Sequence, residues 1–263
     1  AERPVLFYSE SETLRTEAIV LGRQPWDEKS ELALLFCPQL GCIEALCGGL
    51  YKSASSLRGR VEPFNNLEIQ LVRGRGRWRL TQAQTLKIYP QFYSDYPCLC
   101  WGSFFLELWR ALMPAARGSA EEGPGGEEAS LYSLLGQALE ALGAFPHKGV
   151  GVSIWMLWRL VGLLGIAPEI SSCLRCHTDQ VSYFSAPAGG TLCAQCQRGD
   201  EGRRLMPETR KLWSQYRKNP WSVALKERFL PSTYAQGEAY LWRQLTYHWP
   251  LALKSRRFLK IGE

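Results

Sequence analysis

Between residues 14 and 88, apolar and polar side chains alternate in short runs. Leu67, Ile69 and Leu71 are separated by Glu68 and Gln70, the period-two pattern of a strand with one face in a core and the other in water. The same criterion predicts strands over residues 14–23, 31–38, 42–47, 67–73 and 77–88. Gly22, Gly41, Gly48, Gly49, Gly74 and Gly76 punctuate them, and the Asn65–Asn66 pair sits just ahead of the fourth. Five short strands without a strong helical period predict a small barrel or a sandwich. The strand count favours an OB-fold, whose open face commonly takes single strands of nucleic acid.

After Pro97 the period lengthens. Residues 99–112 and 131–142 carry apolar side chains at i, i+3, i+4 and i+7, and residues 149–166 are apolar nearly all round, so three packed helices are predicted, the third the most buried. Two more follow over residues 205–219 and 233–247, interrupted by Pro220 and Pro231. Trp101, Trp109, Trp155 and Trp158 stand at helical spacing and are assigned to the core. Residues 114–130, rich in Glu, Gly and Pro, are expected to form a mobile loop.

With 263 residues, 46% hydrophobic and 21% charged, the chain can build a real core, which excludes a wholly disordered or collagen-like polymer. The longest apolar stretch, residues 149–167, has Arg159 near its centre. A mid-bilayer arginine costs about 2.5–3.5 kcal/mol, so a buried helix is expected and a membrane span is not. Ala1–Thr16 has no apolar region of the secretory kind, and Ala1 in place of Met reads as an engineered or trimmed start. Nine cysteines are an odd number for a disulfide framework, and a soluble protein of a reducing compartment is expected.

The formal charge is +6, unevenly spread. Residues 50–80 hold 7 basic and 2 acidic side chains, and residues 201–263 hold 13 and 5, around a slightly acidic middle. Two basic regions suit an anionic partner, most commonly nucleic acid.

The strongest local motif is Cys173-Leu-Arg-Cys176 followed, after 16 residues, by Cys193-Ala-Gln-Cys196. Two CxxC knuckles at this separation suit one tetrahedral zinc ion, each offering two thiolates. Four sulfurs close the shell and leave no position for an activated water, so the role is structural. A redox dithiol pair and ordinary buried cysteines are the alternatives. His177, beside Cys176, is expected to face solvent, and Cys37, Cys42, Cys47, Cys98 and Cys100 to fill core positions.

Arg73-Gly-Arg75-Gly-Arg77, with Trp78 and Arg79, is the second motif: guanidinium groups pair with phosphates, and a neighbouring ring can stack on a base. A glycine-rich hairpin turn with solvated arginines is the equal alternative. Lys52, Arg58 and Arg60 lie in the Gly- and Ser-rich loop before the fourth strand, where backbone contact and plain exposure are both open. The run Lys254-Ser-Arg-Arg-Phe-Leu-Lys260 reads as a second phosphate-facing patch or, by preference, a solvated helix end. Nothing catalytic assembles. There is no phosphate-binding G-x-x-x-x-G-K-[ST], no G-x-G-x-x-G, no G-x-S-x-G and no H-E-x-x-H, and His147-Lys148-Gly149 lacks the glutamate of a zinc deaminase. No enzyme is expected.

The residues taken in order resemble the RecO recombination-mediator family of bacteria. The likeness runs through Glu17-Ala-Ile-Val-Leu-Gly22, Trp26-Asp-Glu-Lys-Ser30, Gly41, Cys47-Gly48 and Lys52-Ser53. It continues through Val61-Glu-Pro-Phe64, Leu71-Val-Arg-Gly-Arg-Gly76 and Leu163-Leu-Gly-Ile-Ala-Pro168 before the first CxxC, and ends in Tyr247-His-Trp-Pro-Leu-Ala-Leu-Lys-Ser-Arg-Arg-Phe-Leu259, spanning roughly residues 14–260. The resemblance implies an α+β multidomain chain: an N-terminal OB-fold β-barrel over residues 1–90, then an all-α helical domain over 91–263 with a four-cysteine, zinc-ribbon-like element inserted at about 170–200.

It implies a DNA repair and recombination mediator that binds single- and double-stranded DNA and anneals complementary strands. With RecR, such a protein helps load RecA onto strands coated by single-stranded DNA-binding protein, whose C-terminal tail it contacts. The carry-over gives Cys173, Cys176, Cys193 and Cys196 to structural Zn2+. It gives DNA contact to Lys52, Arg58, Arg60, Arg73, Arg75, Arg77 and Arg79. The location implied is the bacterial cytoplasm at the nucleoid, with no membrane partner. An OB-fold-plus-zinc RNA-binding factor is the alternative, and a metal-dependent hydrolase a third reading.

Overall fold

The computed structural model describes residues 13–28, 30–48, 57–74, 76–113, 126–259 and 261. β1 (Thr13–Pro25) pairs antiparallel with β4 (Asn66–Arg73) along residues 13–19 and with β2 (Ser30–Cys37) along residues 19–25. Ile19 has a partner on each side, Asn66 and Phe36. A register shift between Val20 and Gly22 bends the strand where it passes from one neighbour to the other. β3 (Gly41–Gly48) folds back on β2, and β5 (Trp78–Lys87) folds back on β4. Parallel pairing of Ala45 and Leu46 with Trp78 and Arg79 closes the barrel in the order β1-β2-β3-β5-β4. This is the OB-type layout that the strand count favours, and each strand lies within a residue or two of its predicted span.

Alternation puts Ala18, Val20, Leu35, Ile43, Ala45, Leu67, Ile69 and Leu71 inside, with Cys37 and Cys47 among them. Burying each Val, Leu or Ile among them contributes about 1.5–3 kcal/mol. The pattern fails over residues 18–22, all buried, because the outer face of β1 and β2 is covered as well. Ile19, Leu21, Leu32 and Phe36 point out of the barrel and are still buried. Their cover includes Tyr132, whose ring lies 6.1 Å from Phe36 and whose hydroxyl sits 2.8 Å from Asn66 Oδ1 and 3.1 Å from Glu17 Oε2.

By its internal contacts the chain divides into two compact units: residues 1–89 with 106–136, and residues 90–105 with 137–263. After α1 (Gln91–Ser94), the helices α2 (Tyr96–Leu112) and α3 (Gly126–Ala144) contribute residues to both. Residues 126–130, expected in a loop, form the first turn of α3. Glu127 and Glu128 there favour the positive end of the helix dipole, which outweighs the glycine composition. The rest of that expected loop, 114–125, lies outside the described residues.

The second unit is built on α4 (Gly149–Leu163), packed against α5 (Pro207–Lys218) and α7 (Pro231–His248), with the single turn α6 (Trp221–Ala224) between these two. α4 is buried nearly all round, as predicted. A Cβ on Gly149 would come within 2.0 Å of the Trp101 ring, so only glycine lets the helix start there. Arg159 lies against the Trp155 ring at 4.1 Å and donates to the carbonyls of Tyr216 (3.0 Å) and Asn219 (2.6 Å) at the end of α5. It therefore satisfies carbonyls that the end of a helix leaves open. Burial lowers its affinity for the proton, to a pKa of about 10. Among the described residues no helix is long and apolar enough to cross a membrane.

Candidate metal centre and nucleic-acid face

Three short strands follow α4: β6 (Tyr183–Ser185), β7 (Gly190–Leu192) and β8 (Arg203–Arg204), in the order β7-β6-β8. The β6–β7 hairpin brings the two CxxC knuckles together, and the sulfurs of Cys173, Cys176, Cys193 and Cys196 lie within 4.8 Å of one another. Cys176 Sγ and Cys193 Sγ are 3.6 Å apart. A tetrahedral ion with Zn–S bonds of about 2.3 Å needs sulfurs about 3.8 Å apart, so the donor set fits one such ion. Burial pushes the Cys173 thiol up, but backbone N–H groups of Cys176, Cys193 and Arg175 outweigh it and lower it, while hydrogen bonds with Cys176 and Cys193 raise the thiol of Cys196 in the same cluster. A ready thiolate is the form in which cysteine binds metal.

The knuckles are fixed from several sides. The His177 N–H donates to the Cys173 carbonyl at 2.9 Å, and the Gln197 N–H donates to that of Cys193 at 3.0 Å. His177 is exposed, as expected, and the cluster of possible metal donors consists of the four cysteines without it. Arg175, inside the first knuckle, donates to the Cys196 carbonyl of the second and grips Glu201 at 2.7 and 2.9 Å. Gly190 lies so close to Glu169 that a Cβ would meet its carbonyl oxygen at 2.2 Å. The hairpin is tied to the helices by Phe184, which stacks on Tyr240 at 5.4 Å and meets Trp213 edge-on at 5.4 Å. Arg210 of α5 donates to the carbonyls of Ile170 and Asp179, both at 2.8 Å, and also to that of Ser171.

At one end of the barrel the β1–β2 and β4–β5 loops meet. The Gly74 N–H donates to the Arg77 carbonyl at 2.9 Å and closes the second loop. The Arg77 guanidinium lies 4.2 Å over the ring of Trp26, which the first loop presents 51% exposed. Arg77 Nε is also 4.0 Å from Glu44 on β3. Arg73 is exposed at the end of β4, with its guanidinium 5.9 Å from the Trp78 ring, and Arg79 is exposed on β5. Trp78 itself is 7% exposed and belongs to the barrel interior, which corrects its reading as a base platform. β5 points Trp78 and Leu80 inward together, leaving Arg79 outside.

Arg58 and Arg60 sit elsewhere, in the turn before β4. Arg60 Nη1 donates to the Ala83 carbonyl at 2.9 Å. It lines, with Arg15, Glu68, Gln70 and Gln82, a polar groove of about 780 Å³ on the outer side of β4 and β5. Ala83 is about 20 Å along β5 from Arg77, at roughly 3.3 Å per residue, so the arginine set divides between two places on the barrel. Lys52 and Arg75 lie outside the described residues.

Sequence reasoning missed two participants. Trp26 is the exposed ring at the barrel mouth; its signal was a tryptophan beside the turn between two predicted strands. Arg110, in the last turn of α2, lines a cleft of about 250 Å³ with Arg23, Gln24, Leu34 and Glu44. No strand or loop pattern points to it. Arg77 covers one face of Trp26 and leaves the rest of the ring exposed, so a cation and an apolar surface stand together, the pair of contacts that a phosphate and a base need.

The sequence model of the family "Recombination protein O N terminal" matches residues 11–89, and that of "Recombination protein O C terminal" matches residues 94–257. The chain is similar to the DNA repair protein RecO of Syntrophomonas wolfei, 29% identical over 230 residues that cover 86% of each chain. It is 27% identical over 252 residues to that of Moorella thermoacetica, covering 93% of this chain and 90% of the relative. To that of Desulforudis audaxviator it is 32% identical over 192 residues, covering 72% and 73%.

Proposed function

The chain belongs to the RecO family of DNA repair proteins, and from that premise we propose that it is a mediator that works by binding and annealing DNA without catalysing a covalent step. The observation that carries this reading is the stacking of Arg77 on Trp26, because it joins the β1–β2 and β4–β5 loops. Those two loops are the ones with which OB-folds take nucleic acid. Arg73, Arg77 and Arg79 hold phosphates of a single or double strand there, and Lys52 and Arg75 extend the contact. Arg58 and Arg60 add phosphate contacts along the groove of β4 and β5.

Zn2+ is the structural ion for Cys173, Cys176, Cys193 and Cys196, supported by the four-sulfur donor set. When bound it supplies a rigid crosslink between the knuckles and no chemistry on substrate. RecR is the partner in loading RecA onto coated strands. The acidic tail of the single-stranded DNA-binding protein suits a cleft of about 440 Å³ in the second unit. Lys148 and Arg228 bring positive charge to it beside the single carboxylate of Glu227, while Phe229 and Tyr234 make it apolar. The work is done in the bacterial cytoplasm, at the nucleoid.

The test is annealing of complementary single strands coated with the cognate single-stranded DNA-binding protein, followed over a salt series without nucleotide. Acceleration that falls steeply with salt is expected, since counterion release drives phosphate binding. No acceleration, with tight binding to RecR retained, would leave an adaptor in place of an annealing factor. Preference for RNA over DNA in direct competition would move the protein to RNA metabolism.

A further inference from the structure

One face of α7 carries Gln236, Tyr240, Arg243 and Tyr247, spaced four, three and four residues apart. The edge strand β8 lies against the first half of this face. The Tyr240 hydroxyl donates to the Arg204 carbonyl at 2.8 Å, and the Gln236 amide donates to the same oxygen at 3.1 Å. β8 is also paired to β6, Arg204 with Tyr183 and Arg203 with Phe184. The side chains of Arg203 and Arg204 are thereby left exposed beside α7, and Arg243 and Tyr247 continue exposed along the helix, Tyr247 at 55%.

We propose that Arg203, Arg204, Arg243 and Tyr247 form a second single-strand nucleic-acid surface, on the helical unit and separate from the barrel. The charge around Tyr240 is one-sided. Burial pushes its phenol up, while the positive charges of Arg203 and Arg243 pull it down, so both cations stand close to that ring with no carboxylate among its perturbing neighbours. Glu238 is held by Arg256 and Glu201 by Arg175, which leaves Asp200 and Glu208 as the exposed carboxylates within four residues of Arg203 or Arg204. Three guanidinium groups along a strip suit successive phosphates, and an exposed phenol ring at its end suits stacking of a base. The paired Phe184 ring leaves Tyr240 as the pillar of the strip, while Tyr247 is its platform.

The zinc ribbon acquires a role in this arrangement: it carries β8 and so sets where Arg203 and Arg204 stand. The inference rests on the proposed annealing function, because pairing two strands on one protein calls for two places to hold them.

The test compares the full chain with the variant R203E/R204E/R243E and, separately, with Y247A. Zinc content and thermal unfolding, expected unchanged for exposed side chains, check that each is folded. The readouts are annealing rate and the salt dependence of binding to a long oligo(dT). A fall in annealing of at least tenfold is expected for the triple variant. Its log–log salt slope should become shallower by about 0.7 for each single-strand phosphate that it no longer neutralises. Y247A should weaken oligo(dT) binding several-fold with the slope unchanged. A folded triple variant that anneals and binds like the parent overturns the proposal, and so does one that loses only its binding to poly-glutamate. If the triple variant is misfolded, Y247A and R243Q decide by the same criteria. A parent chain that neither binds nor anneals DNA would overturn the function itself, a result distinct from loss confined to the variants.

Discussion

Arg256 places both terminal guanidinium nitrogens on the carboxylate of Glu238, at 2.6 and 2.7 Å, and Glu238 is completely buried. The same guanidinium lies 4.2 Å over Trp242 and 5.6 Å from Phe104. In the tail Lys254-Ser-Arg-Arg-Phe-Leu-Lys260 this arginine is therefore neither solvated nor phosphate-facing, which corrects both readings for that position. Its neighbour Arg257 is exposed, over the ring of Phe258 at 4.7 Å. Two adjacent arginines thus have opposite fates.

Removing Arg256 leaves a buried carboxylate without its counterion. Arg256→Ala is expected to destabilise the chain by about 3–5 kcal/mol, as breaking a buried pair does. Replacing both partners together, Glu238→Leu with Arg256→Met, should recover much of that loss. Urea unfolding of the two variants checks both statements. Arg257→Ala in the same assay should change stability by less than about 0.5 kcal/mol, in keeping with its exposure.

At the barrel mouth, Trp26→Ala should weaken single-strand binding by about 1–3 kcal/mol, the worth of one base-stacking ring. Arg77→Ala should flatten the salt dependence by one phosphate contact. Trp78→Ala should instead lower stability, by about 3–5 kcal/mol, since its ring fills the barrel interior. Fluorescence anisotropy with oligo(dT) and thermal melts separate the two kinds of effect.

One zinc per chain is expected by elemental analysis, reduced for Cys176→Ser. Gly190→Ala should lower metal affinity without touching a ligand, because the new methyl group is pressed against the Glu169 carbonyl and spreads the hairpin. Retention measured against a chromogenic chelator would rank parent, Gly190→Ala and Cys176→Ser in that order.

Burial raises the thiols of Cys42, Cys47 and Cys98 to about 12, and that of Cys37 also upward. Each group keeps its proton in the folded chain at a pH where the unfolded chain has lost it. The stability that this contributes is complete below about pH 9, the ordinary thiol value, and is lost as pH rises from there toward 12. The slope is about 1.4 kcal/mol per pH unit for each thiol. Chemical unfolding between pH 8 and 11 should show this decline, and Cys98→Ala should make it shallower.

Much of the architecture was legible because its signals are local. Residues 67–73 alternate with period two and form a strand; residues 149–163 are apolar nearly all round and form the buried helix. The cysteine spacing carries the four-sulfur cluster because two knuckles on a short hairpin have few ways to meet. Where local signals misled, a distant segment had intervened. Continuous burial over residues 18–22 reflects cover on the outer face of β1, and Trp78 turned inward because barrel closure set its side.

Strand and helix periods, helix order and the two CxxC knuckles follow from the sequence alone, since each depends on neighbours a few residues away. Which charges and rings are available to a partner depended on the tertiary structure. Arg77 reaches Trp26, Arg175 reaches Glu201, Arg256 reaches Glu238, and Tyr240 holds the backbone of Arg204. Such pairings join residues far apart in the chain, and composition treats every arginine alike. Only folding separates the arginines it consumes from those it leaves at the surface.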